Sequence, residues 1–185
     1  MRIISGSARG RKLKEPQGMD TRPTTDKVKE SLFNIIQFDL EGRRVLDLFG
    51  GTGQLGLEAL SRGPAHCTFV EQRREAVALI RENLKRTGFS DRARVVQGEA
   101  LSILASCRER FDIVFLDPPY QGGLLEQSLE KIVQFDILRE HGIMICESAA
   151  DWRLPPLQAP YEEGREYRYG KTKLTVCRRS GSVRP

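Results

Sequence analysis

Arg44-Val-Leu-Asp47-Leu-Phe49-Gly-Gly51-Thr-Gly53-Gln-Leu-Gly56 reads as a short apolar strand that runs into a glycine loop and then a helix. The spacing Gly51-x-Gly53-x-x-Gly56 lies between strand and helix, and Glu71 follows about twenty residues on, at the end of the next apolar stretch. Glycines let backbone approach a ligand closely, and an acid at the second strand can hold two ribose hydroxyls. That much suits any adenosine cofactor, NAD included. Asp47 separates the cases. NAD needs its pyrophosphate at the helix N-terminus, where a neighbouring carboxylate repels it. S-adenosylmethionine has no phosphate and carries an ammonium and a sulfonium, both of which a carboxylate attracts. The loop is therefore assigned to S-adenosylmethionine, with Asp47 toward its amino group, directly or through water. Glu71 faces the ribose and Glu99 the adenine, and Phe49, Gly51, Gly53, Gln72 and Ala100 complete the candidate cofactor set.

Outward from this loop, apolar strands alternate with amphipathic helices. Strands are expected at 44–49, 67–71, 94–97, 111–117, 142–147 and 173–178, and helices at 55–62, 74–86, 100–107 and 124–135. Repeated strand–helix units of this length imply an α/β chain with a doubly wound, mostly parallel sheet. The end differs: segments 161–169 and 173–178 are separated by a turn containing Gly170 and should pair as an antiparallel hairpin. A parallel sheet closed in this way is the arrangement of class I S-adenosylmethionine-dependent methyltransferases, a Rossmann-like fold. The first 38 residues differ again. Ile3, Ile4 and Leu13 flank a Ser/Gly/Arg segment that suits a small basic hairpin, and Thr24-Thr25-Asp26 caps a helix with Val28, Leu32, Phe33 and Ile36 on one face. A length of 185 residues suits one domain: a basic N-terminal extension and helix over 1–38, a core over 39–179 and a disordered tail over 180–185.

The most apolar run, Phe111-Asp-Ile-Val-Phe-Leu116, is continuous rather than alternating, as in a strand covered on both faces. It stops at Asp117-Pro118-Pro119-Tyr120. Each proline pushes the residue before it toward extended backbone and lacks an N–H, so the ladder cannot continue. Asp117 and the Pro118 carbonyl then offer two acceptors, and Tyr120 offers a ring. A planar substrate bearing an amino group fits those three features, which makes Asp117, Pro118, Pro119 and Tyr120 the candidate catalytic residues.

The net charge is +5, with Arg2, Arg9, Arg11, Lys12 and Lys14 ahead of the first acid, Glu15. Arg165, Arg168, Lys171, Lys173, Arg178, Arg179 and Arg184 crowd the other end. Two basic ends around a balanced middle form an electrostatic footprint for nucleic acid. No apolar run approaches the roughly 20 residues that would span a membrane. Cys67, Cys107, Cys146 and Cys177 are scattered without ligand or disulfide spacing, so reduced thiols, no metal and a cytoplasmic location are expected.

The stretch from Asp47 to Gly63, Asp117-Pro-Pro-Tyr120, Arg2-Ile-Ile-Ser-Gly6, Arg9-Gly-Arg11, Arg22-Pro-Thr-Thr-Asp26 and Tyr169-Gly-Lys-Thr172 together resemble the RsmD family of bacterial 16S ribosomal RNA guanine-N2 methyltransferases. The chain departs from that family's usual loop at Gly50 and Gln54, where alanines are usual, and at Glu99, where aspartate is commoner. The resemblance implies methyl transfer to the exocyclic amine of one guanine in 16S rRNA, within a small-subunit particle, and a monomer is expected because nothing in the sequence demands more. The basic hairpin and Arg22 are expected to hold RNA phosphates, through Arg2, Arg9, Arg11, Lys12 and Arg22, and the resemblance implies a segment 22–26 that closes over the methionine end of the cofactor and brings in Thr25. Three other readings stay open: an N6-adenine or other nucleic-acid amino methyltransferase, a non-catalytic RNA-binding assembly factor on the same fold and, third, a hydride-transfer enzyme that uses NAD.

Overall fold

The structure is a computed structural model that describes residues 1–16, 26–120 and 122–181. The chain divides into two compact units, residues 1–99 and 100–185. In the first, β1 (Arg44–Asp47), β2 (His66–Glu71) and β3 (Ala93–Gln97) lie parallel in the order β3-β2-β1. Helices α1 (Asp26–Ile35), α2 (Gln54–Ser61) and α3 (Arg74–Thr87) belong to the same unit. Helix α3 buries Ala76, Val77, Ile80 and Leu84, the three-and-four spacing of a one-sided apolar stripe. It ends at Gly88, whose positive φ of 79° lets its N–H turn back to the Leu84 carbonyl.

In the second unit β4 (Phe111–Leu116), β5 (Leu138–Ala149), β6 (Tyr161–Tyr169) and β7 (Thr172–Arg179) are ordered β4-β5-β7-β6. β4 pairs parallel with β5, while β5–β7 and β6–β7 are antiparallel, so the expected closing hairpin is present. All six residues of β4 are buried, as its unbroken apolar run requires. Helices α4 (Ala100–Ser106) and α5 (Leu124–Gln134) complete this unit.

Two strand lengths differ from the sequence reading. β1 stops at Asp47 rather than residue 49, because the chain turns there to place the Gly50 N–H on the Val70 carbonyl, 2.8 Å away. β5 is about twice as long as expected. Its start pairs with Phe111 across an irregularity in β4, and its end continues along β7 through Ala149 opposite Thr172. The basic C-terminal run is also not uniformly a surface. The buried Lys173 ammonium donates to the Trp152 carbonyl and to Glu166, and buried Arg179 forms a two-pronged pair with Asp136 at 2.7 and 3.1 Å. Arg165, Arg168, Lys171 and Arg178 do face solvent, and Arg184 lies outside the described residues.

Candidate functional site

The glycine loop is built around a carboxylate. Asp47 ends β1 with 2% of its surface exposed, and its Oδ2 accepts the Gly56 N–H at 3.0 Å. Helix α2 begins after Gly53, which has no side chain to cap it, so Asp47 supplies the missing acceptor from the strand below. Burial lifts the Asp47 carboxyl to about 7, against the pull of the Gly56 N–H and with a smaller push from Glu71. Gly53 has φ 80°, and a Cβ there would meet Leu57 Cδ1 at 3.2 Å and Ile80 Cγ1 at 3.3 Å. A Cβ on Gly50 would lie 2.9 Å from Ile80 Cδ1. Helix α3 thus forms the back of the loop through Ile80, and only glycine leaves its front open.

Glu71, at the end of β2, closes the loop from the other side. Its Oε2 accepts the Gly51 N–H at 2.8 Å and its Oε1 the Arg73 N–H at 2.8 Å. Oε1 also accepts the Arg73 Nε–H at 3.4 Å, so the acceptor capacity that Glu71 retains beside the loop is on Oε2. Phe49 and Gly51 are half-buried, Gln72 and Glu99 are exposed, and Ala100 is buried at the start of α4. Gln54 opens α2, and its Oε1 is buried without a hydrogen-bond partner among the described residues. The sequence reading noted Gln54 as a departure from the family's usual loop and gave its amide no role. Thr25 and Arg22 lie outside the described residues, as does the end of the expected tail, 182–185.

In the second unit Asp117 is half-buried directly after β4, Pro118 is buried, and Pro119 and Tyr120 are exposed. Tyr120 shows 51% of its surface, high for so large a ring, and its hydroxyl lies 3.3 Å from the Thr172 hydroxyl on β7. The loop after β4 therefore presents an aromatic face tied at its edge to the final hairpin.

The N-terminal hairpin is present, with an antiparallel bridge between Arg2 and Lys12 and an Ile3 N–H bond to the Arg11 carbonyl at 3.0 Å. Arg2, Arg9, Arg11 and Lys12 are all exposed on it. The hairpin is fixed by residues the sequence reading passed over. Fully buried Glu58 accepts the Ile4 and Ser5 N–H groups at 2.7 and 3.0 Å and pairs with Arg62 at 2.9 Å. Fully buried Lys29 donates to the Arg2 carbonyl at 2.7 Å. Burial holds the Lys29 ammonium below the usual lysine range, with the Glu58 carboxylate opposing that shift. Ser61 accepts the Ala8 N–H and donates to the Ser5 carbonyl. The available signal was composition: α2 is apolar on nearly every side, so a lone Glu58 within it has to be a buried, partnered charge.

The family model described as "Conserved hypothetical protein 95" matches residues 1–178. "Putative rRNA methyltransferase YlbH" of Bacillus subtilis is 41% identical over 98% of this chain and 100% of its own length. "Ribosomal RNA small subunit methyltransferase D" of Escherichia coli is 38% identical over 97% of this chain and 90% of its own. Among solved structures, "Putative methyltransferase yhhF from Escherichia coli" superposes with a TM-score of 0.89 at 37% identity, covering 97% of this chain and 98% of that one. The seven strands and their partly antiparallel end are thus those of a class I, Rossmann-like methyltransferase. On a family model that spans nearly its whole length and relatives matched end to end, the chain belongs to the RsmD family, whose named members are methyltransferases of ribosomal RNA.

Proposed function

We propose that this protein transfers a methyl group from S-adenosylmethionine to the exocyclic N2 amine of a guanine in 16S rRNA, acting as a monomer on a small-subunit particle. The observation that carries the donor is Asp47 on the Gly56 N–H. A buried carboxylate already occupies the anion position at the N-terminus of α2, so a pyrophosphate is disfavoured there and a cationic ligand is favoured. The Gln54 Oε1, buried and unpartnered among the described residues, points the same way, because a buried acceptor calls for a donor such as an ammonium. Gly51, Gly53 and Glu71 suit the nucleoside part of that ligand, and Phe49, Gln72, Glu99, Ala100 and Thr25 are assigned to its surroundings. When bound, the donor supplies a methyl group on a positively charged sulfur, already a strong electrophile.

The acceptor belongs to the second unit. Guanine N2 is a weak nucleophile because its lone pair is delocalised into the ring. Asp117 and the Pro118 carbonyl each take one N–H, which turns that lone pair out of the ring plane toward the methyl carbon. As the N–C bond forms, the C–S bond breaks and its electron pair stays on sulfur; the proton lost by nitrogen passes to Asp117 or water. Pro119 holds the loop extended, and Tyr120 stacks on a base withdrawn from its neighbours. Arg2, Arg9, Arg11, Lys12 and Arg22 hold phosphates, a contribution that weakens with salt. Residues 1–38 serve as the RNA-binding extension and 39–179 as the catalytic core of one methyltransferase domain, and the cytoplasm, where ribosomes are assembled, is its place of work.

The test is mass analysis of nucleosides after incubation with S-adenosylmethionine and small-subunit particles from cells lacking the protein. A single N2-methylguanosine in 16S rRNA is expected. Methylated adenine, or methyl groups in DNA, would replace the guanine reading; absence of both transfer and donor binding would leave only an assembly factor.

A further inference from the structure

Asn83 stands in the middle of α3 with none of its surface exposed, where a helix facing a core would ordinarily carry an apolar side chain. Both ends of its amide are engaged. Oδ1 accepts the Lys14 N–H at 2.7 Å, and Nδ2 donates to the Lys14 carbonyl at 3.1 Å and to the Thr52 carbonyl at 3.2 Å. One side chain therefore closes a strand-like double bond with the base of the basic hairpin and reaches the centre of the glycine loop. Thr52 is held a second time, by its hydroxyl on Met1 Sδ at 3.5 Å, again from the hairpin. One turn earlier on α3, Ile80 forms the back of the same loop. A residue needed only to anchor the hairpin would require the two Lys14 bonds and not the third.

We propose that Asn83 is a positioning residue that couples RNA docking on the hairpin to the shape of the donor loop. Fixing the hairpin on RNA fixes Lys14, and through Asn83 it holds the Thr52 carbonyl in the arrangement that receives the donor. Binding couplings are reciprocal, so donor and RNA tighten each other by the same factor. This rests on the reading above that the hairpin holds RNA.

The experiment measures the affinity of S-adenosylhomocysteine by calorimetry, with and without small-subunit ribosomal RNA, in the natural protein and in Asn83→Ala. RNA should tighten the ligand by about fivefold or more in the natural protein. In Asn83→Ala that factor, measured with each protein saturated by RNA, should fall toward one, and RNA affinity without ligand should weaken as the hairpin loses its two Lys14 bonds. The paired variant Arg9→Ala/Lys12→Ala checks the underlying reading: unchanged RNA affinity there would remove the hairpin as the RNA site. Normal hairpin binding with no coupling in the natural protein, or with coupling intact in Asn83→Ala, would overturn the role of Asn83 alone. Should Asn83→Ala fold poorly, hydrogen exchange of the amides at 51–54 in the natural protein decides: slowing on RNA addition without ligand supports the coupling, and no change overturns it.

Discussion

Lys29 and Glu58 place their charged atoms 3.8 Å apart with neither side chain exposed to solvent. The pair is embedded in other bonds, since Glu58 also serves two backbone amides and Arg62, and Lys29 serves the Arg2 carbonyl. Removing one partner of a buried pair leaves the rest desolvated and unmatched, which is far costlier than the pair itself is stabilising. Glu58→Ala should lower unfolding free energy by about 3–5 kcal/mol, read from the midpoint of a urea transition. A loss below about 1 kcal/mol would mean that water replaces the carboxylate, and that the cluster is not sealed.

Asp47 gives a pH signature. Its carboxyl titrates near 3.8 in the unfolded chain and about 7 in the fold. Between those values the folded protein holds more protons, so without donor this group's contribution to stability is full below the lower value and fades as pH rises through the upper one. A cationic donor prefers the ionised form, so its affinity moves the opposite way, weakening by up to about tenfold per unit as pH falls below 7. Calorimetry in buffers of different ionisation heat should detect proton release on binding near neutrality. Asp47→Asn should bind weakly at every pH; a variant that still shows the slope would assign it to another group.

Asp117 and Tyr120 should separate chemistry from grip. Asp117→Ala is expected to bind S-adenosylmethionine nearly as the natural protein does, and to lose about a hundredfold or more in methyl transfer. Tyr120→Phe keeps the ring and gives up the hydroxyl that meets the Thr172 hydroxyl, so it should retain most activity, whereas Tyr120→Ala should not. Equal damage from both would show that the hydroxyl matters and the ring does not.

Gly56 sets two effects of opposite sign against each other. Alanine favours a helix by about 1 kcal/mol over glycine. Here its Cβ would stand 2.2 Å from Phe69 Cε1 and 2.8 Å from Cys67 Sγ, in a buried position where nothing can give freely. Overpacking of that kind costs about 1–3 kcal/mol. Gly56→Ala should therefore destabilise on balance, and it should also disturb the N–H that Asp47 holds. A raised melting temperature would show that Phe69 swings aside.

The strand–helix alternation, the closing hairpin and the loop carrying Asp47 and Glu71 were all legible in the sequence, because each rests on local periodicity or on turn residues. What escaped depends on contacts far apart along the chain. Glu58 meets Ile4 across 54 residues and Asn83 meets Lys14 across 69, and no neighbouring residue announces either. Lys173 and Arg179 were counted among exposed cations for the same reason: their partners Glu166 and Asp136 become neighbours only once the strands pair. The extra length of β5 was hidden by Arg139-Glu-His141-Gly142, which reads as loop; His141 in fact takes a φ of 61° within a continuing strand. The end of β4 before Asp117-Pro-Pro-Tyr120 was legible because proline leaves a mark that needs no partner.

The hairpin that opens the chain has little to sustain it alone. An isolated two-stranded ribbon is marginal in water, and this one borrows its bonds from Glu58, Ser61 and Asn83 on α2 and α3. Its cationic face therefore keeps its shape only while those helices hold theirs, so damage far along the chain would unmake the opening residues as well.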